Sequence, residues 1–256
     1  MALGRIRIDR FISQYLNVGR GDVRLILAQK RVRVDDIILR DINTVINTFS
    51  VVKLDGKIIQ DNTPYYLMMN KPAGVVSATE SSTHKTVIDI VKANTSLTPE
   101  LCDSLHIVGR LDFHSTGLIL LTNDSRWSSK VTAPDNKVTK KYRVTLATKL
   151  TPERTESYVK AFSQGMYFSF EKITTQPAKL IVLEDNVVEV HLTEGRYHQI
   201  KRMFGRFDNK VVRLHRFSIG QLVLDHGLVE GGCRLLSQDE VGGIFGRDAR
   251  FDKDTI

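Results

Sequence analysis

HIVGRLDFHSTGLILLTND, His106 to Asp124, decides the reading of this chain. Its second half runs Leu118-Ile119-Leu120-Leu121 with no polar alternation, as expected of a strand buried on both faces. Its first half places Asp112 after Gly109-Arg110-Leu111 and before the corner Ser115-Thr116-Gly117. A carboxylate between a cationic side chain and a tight turn, just ahead of a buried strand, is held in place beside positive charge. A nearby cation favours the ionised form, and an ionised carboxylate is a nucleophile. For an isolated Arg-Leu-Asp the plainer reading is a salt-bridged surface turn, so the rest of the chain has to decide.

Outward from that stretch, YYLMMN (Tyr65 to Asn70), KYRVTLA, KLIVLE and NVVEVHLT read as further strands. A turn at Glu184-Asp185-Asn186 joins the last two as a hairpin. TPERTESYVKAFSQG reads as a helix entered through Thr151-Pro152 and closed by Gly165. Val87 to Val91 reads as an amphipathic helix, and HQIKRMFGRF as a strongly basic one. Strands and helices alternate irregularly, which predicts an α+β domain with a mixed, largely antiparallel sheet flanked by helices.

Residues 1–60 read as a small α/β module of their own. Ile8, Phe11, Ile12, Tyr15 and Leu16 fall at helical spacing, and Val23, Ile26 and Leu27 mark a second helix. Val32-Arg33-Val34 and FSVVKLDGKII then read as short strands, the second turning at Asp55-Gly56. QDNTP, Gln60 to Pro64, reads as a hinge. The expected division is a module over 1–60, a large domain over 64–238 and a C-terminal tail over 239–256.

The net charge is +8 over 256 residues, and it is unevenly placed. Residues 1–60 hold eleven lysines and arginines against six aspartates, and residues 193–216 hold seven against two acids. From Asp239 onward acids outnumber bases five to three. Two positive patches are the footprint of a polyanionic partner. No apolar run approaches membrane-helix length, and the opening MALGRIRIDRF carries charge from Arg5 on, without the apolar segment of a secretory signal. Cys102 and Cys233 are far apart and outside any ligand-spaced motif, which fits reduced thiols in the cytoplasm. No metal or cofactor is expected: His198 and His215 lack an HExxH context, and no P-loop, GxGxxG or GxSxG occurs.

Five segments in order carry a family resemblance: MNKPAGVVSAT (Met69 to Thr79), GRLDFHSTGLILLTND, KVTKKYRVTL (Lys137 to Leu146), EGRYHQIKRMF (Glu194 to Phe204) and VVRLHRFSIGQLVLD (Val211 to Asp225). Together they resemble the RsuA-type pseudouridine synthases over nearly the whole chain. Ser115 stands where the family more often has Thr, and Ser125 where it often has Gly. The resemblance implies that Asp112 is the catalytic nucleophile and that Tyr142 stacks on the target uracil, its hydroxyl assisting proton removal at C5. It implies Lys201 as the basic partner of Asp112, with Arg202 next door leaving that assignment open. Arg110 is then the group that fills the space of the flipped base, and Ile200 packs against that base. Arg196 reads as a substrate contact. The first module resembles the S4 RNA-binding fold, which implies phosphate contacts from Arg5, Arg20, Arg24, Lys30, Arg31 and Arg33.

The implied reaction is uridine to pseudouridine, with no cofactor. Within the family the chain looks most like the enzyme acting on 16S rRNA, so the expected partner is small-subunit ribosomal RNA, as a precursor or an assembly intermediate. The expected protein is a cytoplasmic monomer with no membrane association. The same reaction on 23S rRNA is the alternative, and a non-catalytic S4-type assembly factor is a further one.

Overall fold

A computed structural model of the chain describes residues 6–246; Arg5, one of the expected phosphate contacts, lies outside them. The chain divides into two compact units between Pro64 and Tyr65.

The first unit runs β1 (Ile6–Arg7), α1 (Ile8–Leu16), α2 (Arg20–Ala28), β2 (Val32–Val34), β3 (Ile37–Ile38), β4 (Val45–Ile46), β5 (Val52–Leu54) and β6 (Lys57–Gln60). Ile8 and Ile12 are one helical turn apart and fully buried; with Val23, Leu27, Val32, Ile46 and Val52 they form the core of this unit. The four-stranded sheet has the order β3-β2-β5-β6, and β4 pairs with β1. The β5–β6 hairpin turns on Asp55 and Gly56, at φ 52° and 80°. Two successive positive φ values make the tight turn whose twist suits a hairpin, which is why Asp-Gly marks it in the sequence.

The second unit continues with β7 (Tyr66–Lys71), α3 (Val87–Asn94), α4 (Pro99–Ser104), β8 (His106–Val108), β9 (Thr116–Thr122), α5 (Ser125–Thr132), β10 (Lys140–Leu146), α6 (Pro152–Gln164), β11 (Tyr167–Phe168), β12 (Ile173–Thr174), β13 (Lys179–Glu184), β14 (Val187–Leu192), α7 (Gln199–Gly205), β15 (Val211–Ile219), β16 (Leu222–Val223), β17 (Cys233–Leu235) and α8 (Gln238–Gly243). A nine-stranded sheet of order β13-β14-β10-β15-β9-β7-β17 forms its centre, with β16 on β15 and β8 on β9. Among the described residues only β9 and β15 run parallel in it. The fold is therefore the α+β arrangement expected. Leu118 to Leu121 are all fully buried in β9, and each such side chain contributes about 1.5–3 kcal/mol relative to exposure.

The register lays one row of residues across four strands. Lys71 of β7 faces Gly117 of β9, Gly117 faces Arg216 of β15, and Arg216 faces Tyr142 of β10. Gly117 is required there: its φ is +100°, and a Cβ would come within 2.2 Å of the Arg216 carbonyl oxygen. The row puts two cations and an aromatic ring at the strand end from which the 109–115 loop leaves.

Helix α6 is capped by Thr151, opens with Pro152 and stops at Gly165 (φ 80°), as its sequence signals. Its Tyr158 stacks on Phe207 at 4.1 Å and its Phe162 packs 4.9 Å from Phe204, which seats α7. Helix α5 was not read from the sequence, although Asp124 caps it by accepting from the backbone of Arg126 and Trp127. Ser125 begins that helix without a positive φ.

The expected tail is corrected as far as it is described. Residues 238–243 form α8 behind a Ser237–Glu240 capping box, and Val241 and Ile244 are buried. Trp127 Nε1 donates to the Val241 carbonyl at 3.1 Å. Val241 on this short helix and Ile244 just after it are its buried side chains, and the acidic residues Asp239 and Glu240 beside them masked that pattern. No helix of the described residues is long and apolar enough to cross a membrane.

Candidate active site

Asp112 lies in the irregular loop between β8 and β9, and almost every carbonyl of that loop has a donor. Arg216, buried to 3% exposure, donates Nε to Leu118 O at 2.8 Å and its terminal nitrogens to Gly109 O and Arg110 O at 3.1 and 3.3 Å. Ser77 Oγ donates to Leu111 O at 2.6 Å and accepts from Leu111 N at 3.1 Å. Gly74 N donates to Phe113 O, and Ser115 N closes a turn onto Asp112 O. The Lys71 ammonium, fully buried, reaches Pro72 O and Ser115 O at 2.9 Å, Asp112 O at 3.2 Å and Phe113 O at 3.4 Å. A loop without regular structure thus has its main-chain dipoles neutralised by two interior cations, and its backbone is fixed. Burial pushes the Lys71 amine down to about 8, with Asp112 opposing that shift.

The Asp112 side chain points out of this clamp and meets the first turn of α7. Lys201 Nζ donates to Asp112 Oδ2 at 2.9 Å, and His198 Nε2 lies 3.5 Å from Oδ1. His198 and Lys201 are three apart and share one helix face, so each takes one carboxylate oxygen. Arg202 faces elsewhere: it makes a bidentate pair with Glu171 and sits over the Phe168 ring at 4.0 Å. Of the two candidates for the basic partner, Lys201 is the one whose side chain meets Asp112.

A cleft of about 910 Å³ opens beside Asp112, lined by Arg110, Tyr142, Arg196, His198 and Arg216 among others. Tyr142 presents its ring there, with the Arg216 guanidinium carbon 6.0 Å from the ring centroid. Arg110 is exposed on the rim. Arg196 Nε is held by Glu194, which also accepts from Gln199 Nε2 and Gln176 N. That network pins the turn preceding α7. Ile200 is 4% exposed in the hydrophobic core and does not line the cleft. Lys140, on the cleft wall, is shifted down by burial and then by Arg216. Among the described residues no group of three or more His, Cys, Asp or Glu side chains is placed to hold a metal ion.

The sequence does not single out Lys71 or the contact of His198 with Asp112; Arg216, which reads as a phosphate or structural contact, is structural here. Lys71 before Pro72 reads only as the end of a strand, and His198 raises only the question of a metal ligand. The i, i+3 spacing of His198 to Lys201 was the available signal.

In the first unit the expected phosphate contacts divide. Arg20 pairs with buried Asp9, Arg31 makes a bidentate pair with Asp55, and Arg33 donates to the Asp36 carbonyl. Arg24 and Lys30 make no ion pair among the described residues and project exposed from and just after α2.

A mixed sheet that delivers a clamped aspartate to a basic cleft is the framework of one class of enzyme. Residues 65–205 match the RNA pseudouridylate synthases, and the chain belongs to that family. It is therefore a pseudouridine synthase, an intramolecular isomerase. Over 240 residues it is 41% identical to ribosomal small subunit pseudouridine synthase A of Pseudomonas aeruginosa, covering 93% of this chain and all of that one. The corresponding protein of Escherichia coli is 37% identical over the same length and with the same coverage. A crystal structure of a pseudouridylate synthase superposes with a TM-score of 0.65 at 35% identity, covering 93% of this chain and 99% of the other.

Proposed function

We propose that this protein converts one uridine of small-subunit ribosomal RNA, the 16S rRNA, to pseudouridine in the cytoplasm. Asp112 acts as the nucleophile, Lys201 supplies the positive charge beside it, and Tyr142 stacks on the uracil. The single observation that carries the chemistry is that Asp112, on the wall of the cleft, is paired with Lys201 at 2.9 Å. A carboxylate oriented by a cation, on a backbone already fixed, is presented without further reorganisation. Arg110 and Arg196 at the mouth suit a ribose-phosphate chain entering with the target base out of its stack. The curated relatives, matched over nearly their whole length, are named for the small subunit, which favours 16S over 23S.

Mapping pseudouridines in both ribosomal RNAs by carbodiimide treatment and primer extension, in cells lacking the gene, tests this. Loss of one stop in 16S rRNA is expected. Loss of a stop in 23S rRNA instead would move the target, and an unchanged map would overturn the proposal.

The first unit serves as the RNA anchor in this reading, through Arg24 and Lys30 more than through the arginines already paired. Changing both to alanine is expected to weaken binding to 16S rRNA and to flatten the log–log salt slope by roughly 1.5, as each lost phosphate contact removes slightly less than one. Filter binding between low and moderate salt measures it; an unchanged slope would move the anchor elsewhere.

A further inference from the structure

A second cleft, of about 620 Å³, opens on the other side of the ion pair that holds Asp112. Asp112 lines the first cleft and Lys201 lines the second, so the wall between the two is that one pair. Its shape follows from the sheet. Strand β9 runs parallel to β15 and pairs with it only through Thr116 and Gly117, opposite His215 and Arg216. One residue further back, where Ser115 would face Leu214, the chain turns away, and Ser115 N closes that turn onto Asp112 O. From Val211 to Leu214, β15 therefore has no strand beside it on this side among the described residues. Such an edge presents main-chain donors and acceptors to whatever lies against it.

The side chains around the notch are of three kinds. Val212, 58% exposed, and half-buried Leu214 give the strand a small apolar surface. His114 is exposed on the turn, its ring held edge to face by Phe113 at 4.9 Å. Lys210 is exposed and makes no ion pair among the described residues, and with Lys201 it outnumbers Asp208, the one acid of the lining. Asn209 is already used, its amide exchanging hydrogen bonds with the backbone of Thr148.

We infer that this second cleft receives the nucleotide next to the target uridine, taken out of its stack like the target itself. The inference rests on reading the first cleft as the place of that uridine. Unpaired bases are bound by stacking on rings and apolar side chains and by hydrogen bonds to their edges, with cations along the backbone. His114, Val212 and Leu214 offer the stacking surface, and the open edge of β15 offers the hydrogen bonds. Asp208 can accept from the amino group of adenine, cytosine or guanine. Lys210 supplies the charge for the phosphate. A peptide adding as a strand is the competing occupant of an open edge. Four residues give it little to pair with, whereas an RNA strand in the first cleft is one ion pair away from the second.

The test uses the full-length chain and synthetic RNA spanning the uridine found by mapping, whichever ribosomal RNA holds it. The RNA is intact, or abasic at the nucleotide immediately 5′ or immediately 3′ of that uridine. Turnover is read as tritium released from uracil C5, and affinity by filter binding. With the wild type, one of the two abasic RNAs is expected to bind about 10-fold more weakly, the scale of one stacked base. Its turnover at saturation should stay within about threefold of that on intact RNA, as for a loss of uniform binding. Val212→Trp, which fills the cleft from an exposed strand position, is expected to bind intact RNA about 10-fold more weakly and to be indifferent to that abasic site. Val212→Ala leaves the cleft open and should keep the wild-type response. Lys210→Ala is expected to flatten the log–log salt slope by about 0.7, the single-strand value for one phosphate. The decisive quantity is the coupling between two changes, which a uniform loss from misfolding does not imitate. Losses from Val212→Trp and the abasic site that multiply would overturn the proposal, as would a wild type that binds all three RNAs alike. A wild type that shows the coupling in binding but releases no tritium marks a failure of the reaction and not of this site.

Discussion

Asp112→Asn is expected to lower turnover by at least about 10⁴-fold, the scale of losing a catalytic nucleophile, with little change in affinity for 16S rRNA. The amide keeps the shape of the carboxylate and its place against Lys201, but it has no charge to attack with. The fold has little reason to change. What ties Asp112 into the loop is its backbone: its carbonyl accepts from Ser115 N and from Lys71 Nζ, and neither bond involves the carboxylate. Binding should change little because affinity for RNA is built from many phosphate contacts, and the lost charge is negative in a cleft rich in arginine. Single-turnover tritium release and filter binding on the same preparation measure both quantities. Turnover within a hundredfold of the wild type would remove the nucleophile assignment.

The parts of this architecture that were legible in the sequence are those where local chemistry and tertiary placement agree. Leu118 to Leu121 are apolar without alternation and lie mid-sheet; Thr151-Pro152 and Gly165 bracket α6; Asp55-Gly56 makes the hairpin it advertises. Strand β15 was not assigned because Arg213, His215 and Arg216 break its apolar pattern, and the structure shows why they are there. Arg216 is an interior strut and His215 Nδ1 lies 2.9 Å from Thr116 Oγ1 across the parallel pair. The same holds for the site. Asp112, Tyr142, Arg110 and Arg196 line one cleft and Lys201 pairs with Asp112 from outside it, whereas Ile200 went to the core, because position four residues after Arg196 says nothing about which way a helix faces. A buried lysine leaves no mark in a single sequence at all.

That lysine carries the second large expectation. Lys71→Met is expected to destabilise the protein by about 3–5 kcal/mol, the cost of removing one partner of a buried charged network. This corresponds to a melting temperature lower by roughly 10 °C in a unit of this size. Methionine fills most of the volume, so the loss comes from dipoles left without donors: the carbonyls of Pro72, Asp112, Phe113 and Ser115 all face the ammonium. Phe113 O keeps Gly74 N and Asp112 O keeps Ser115 N, while Pro72 O and Ser115 O lose the donor on which they depend. Turnover should fall further than stability alone accounts for, because the orphaned carbonyls belong to the loop that aims Asp112. The effect of pH separates the two roles. With its pKa held down to about 8 by burial, the folded protein releases this proton well before the unfolded chain does at about 10.5. Between those values the unfolded state binds more protons, so this group favours folding increasingly as pH rises, and the penalty of burying its charge applies in full below about 8. A neutral amine, however, has two hydrogens to share among four carbonyls. Raising the pH through 8 is therefore expected to reduce turnover in the wild type without a matching loss of thermal stability. Lys71→Met should show neither that decline nor the stability term. A wild-type rate that stays flat from pH 7 to 9.5 would show that the proton on Lys71 is not what holds the catalytic loop.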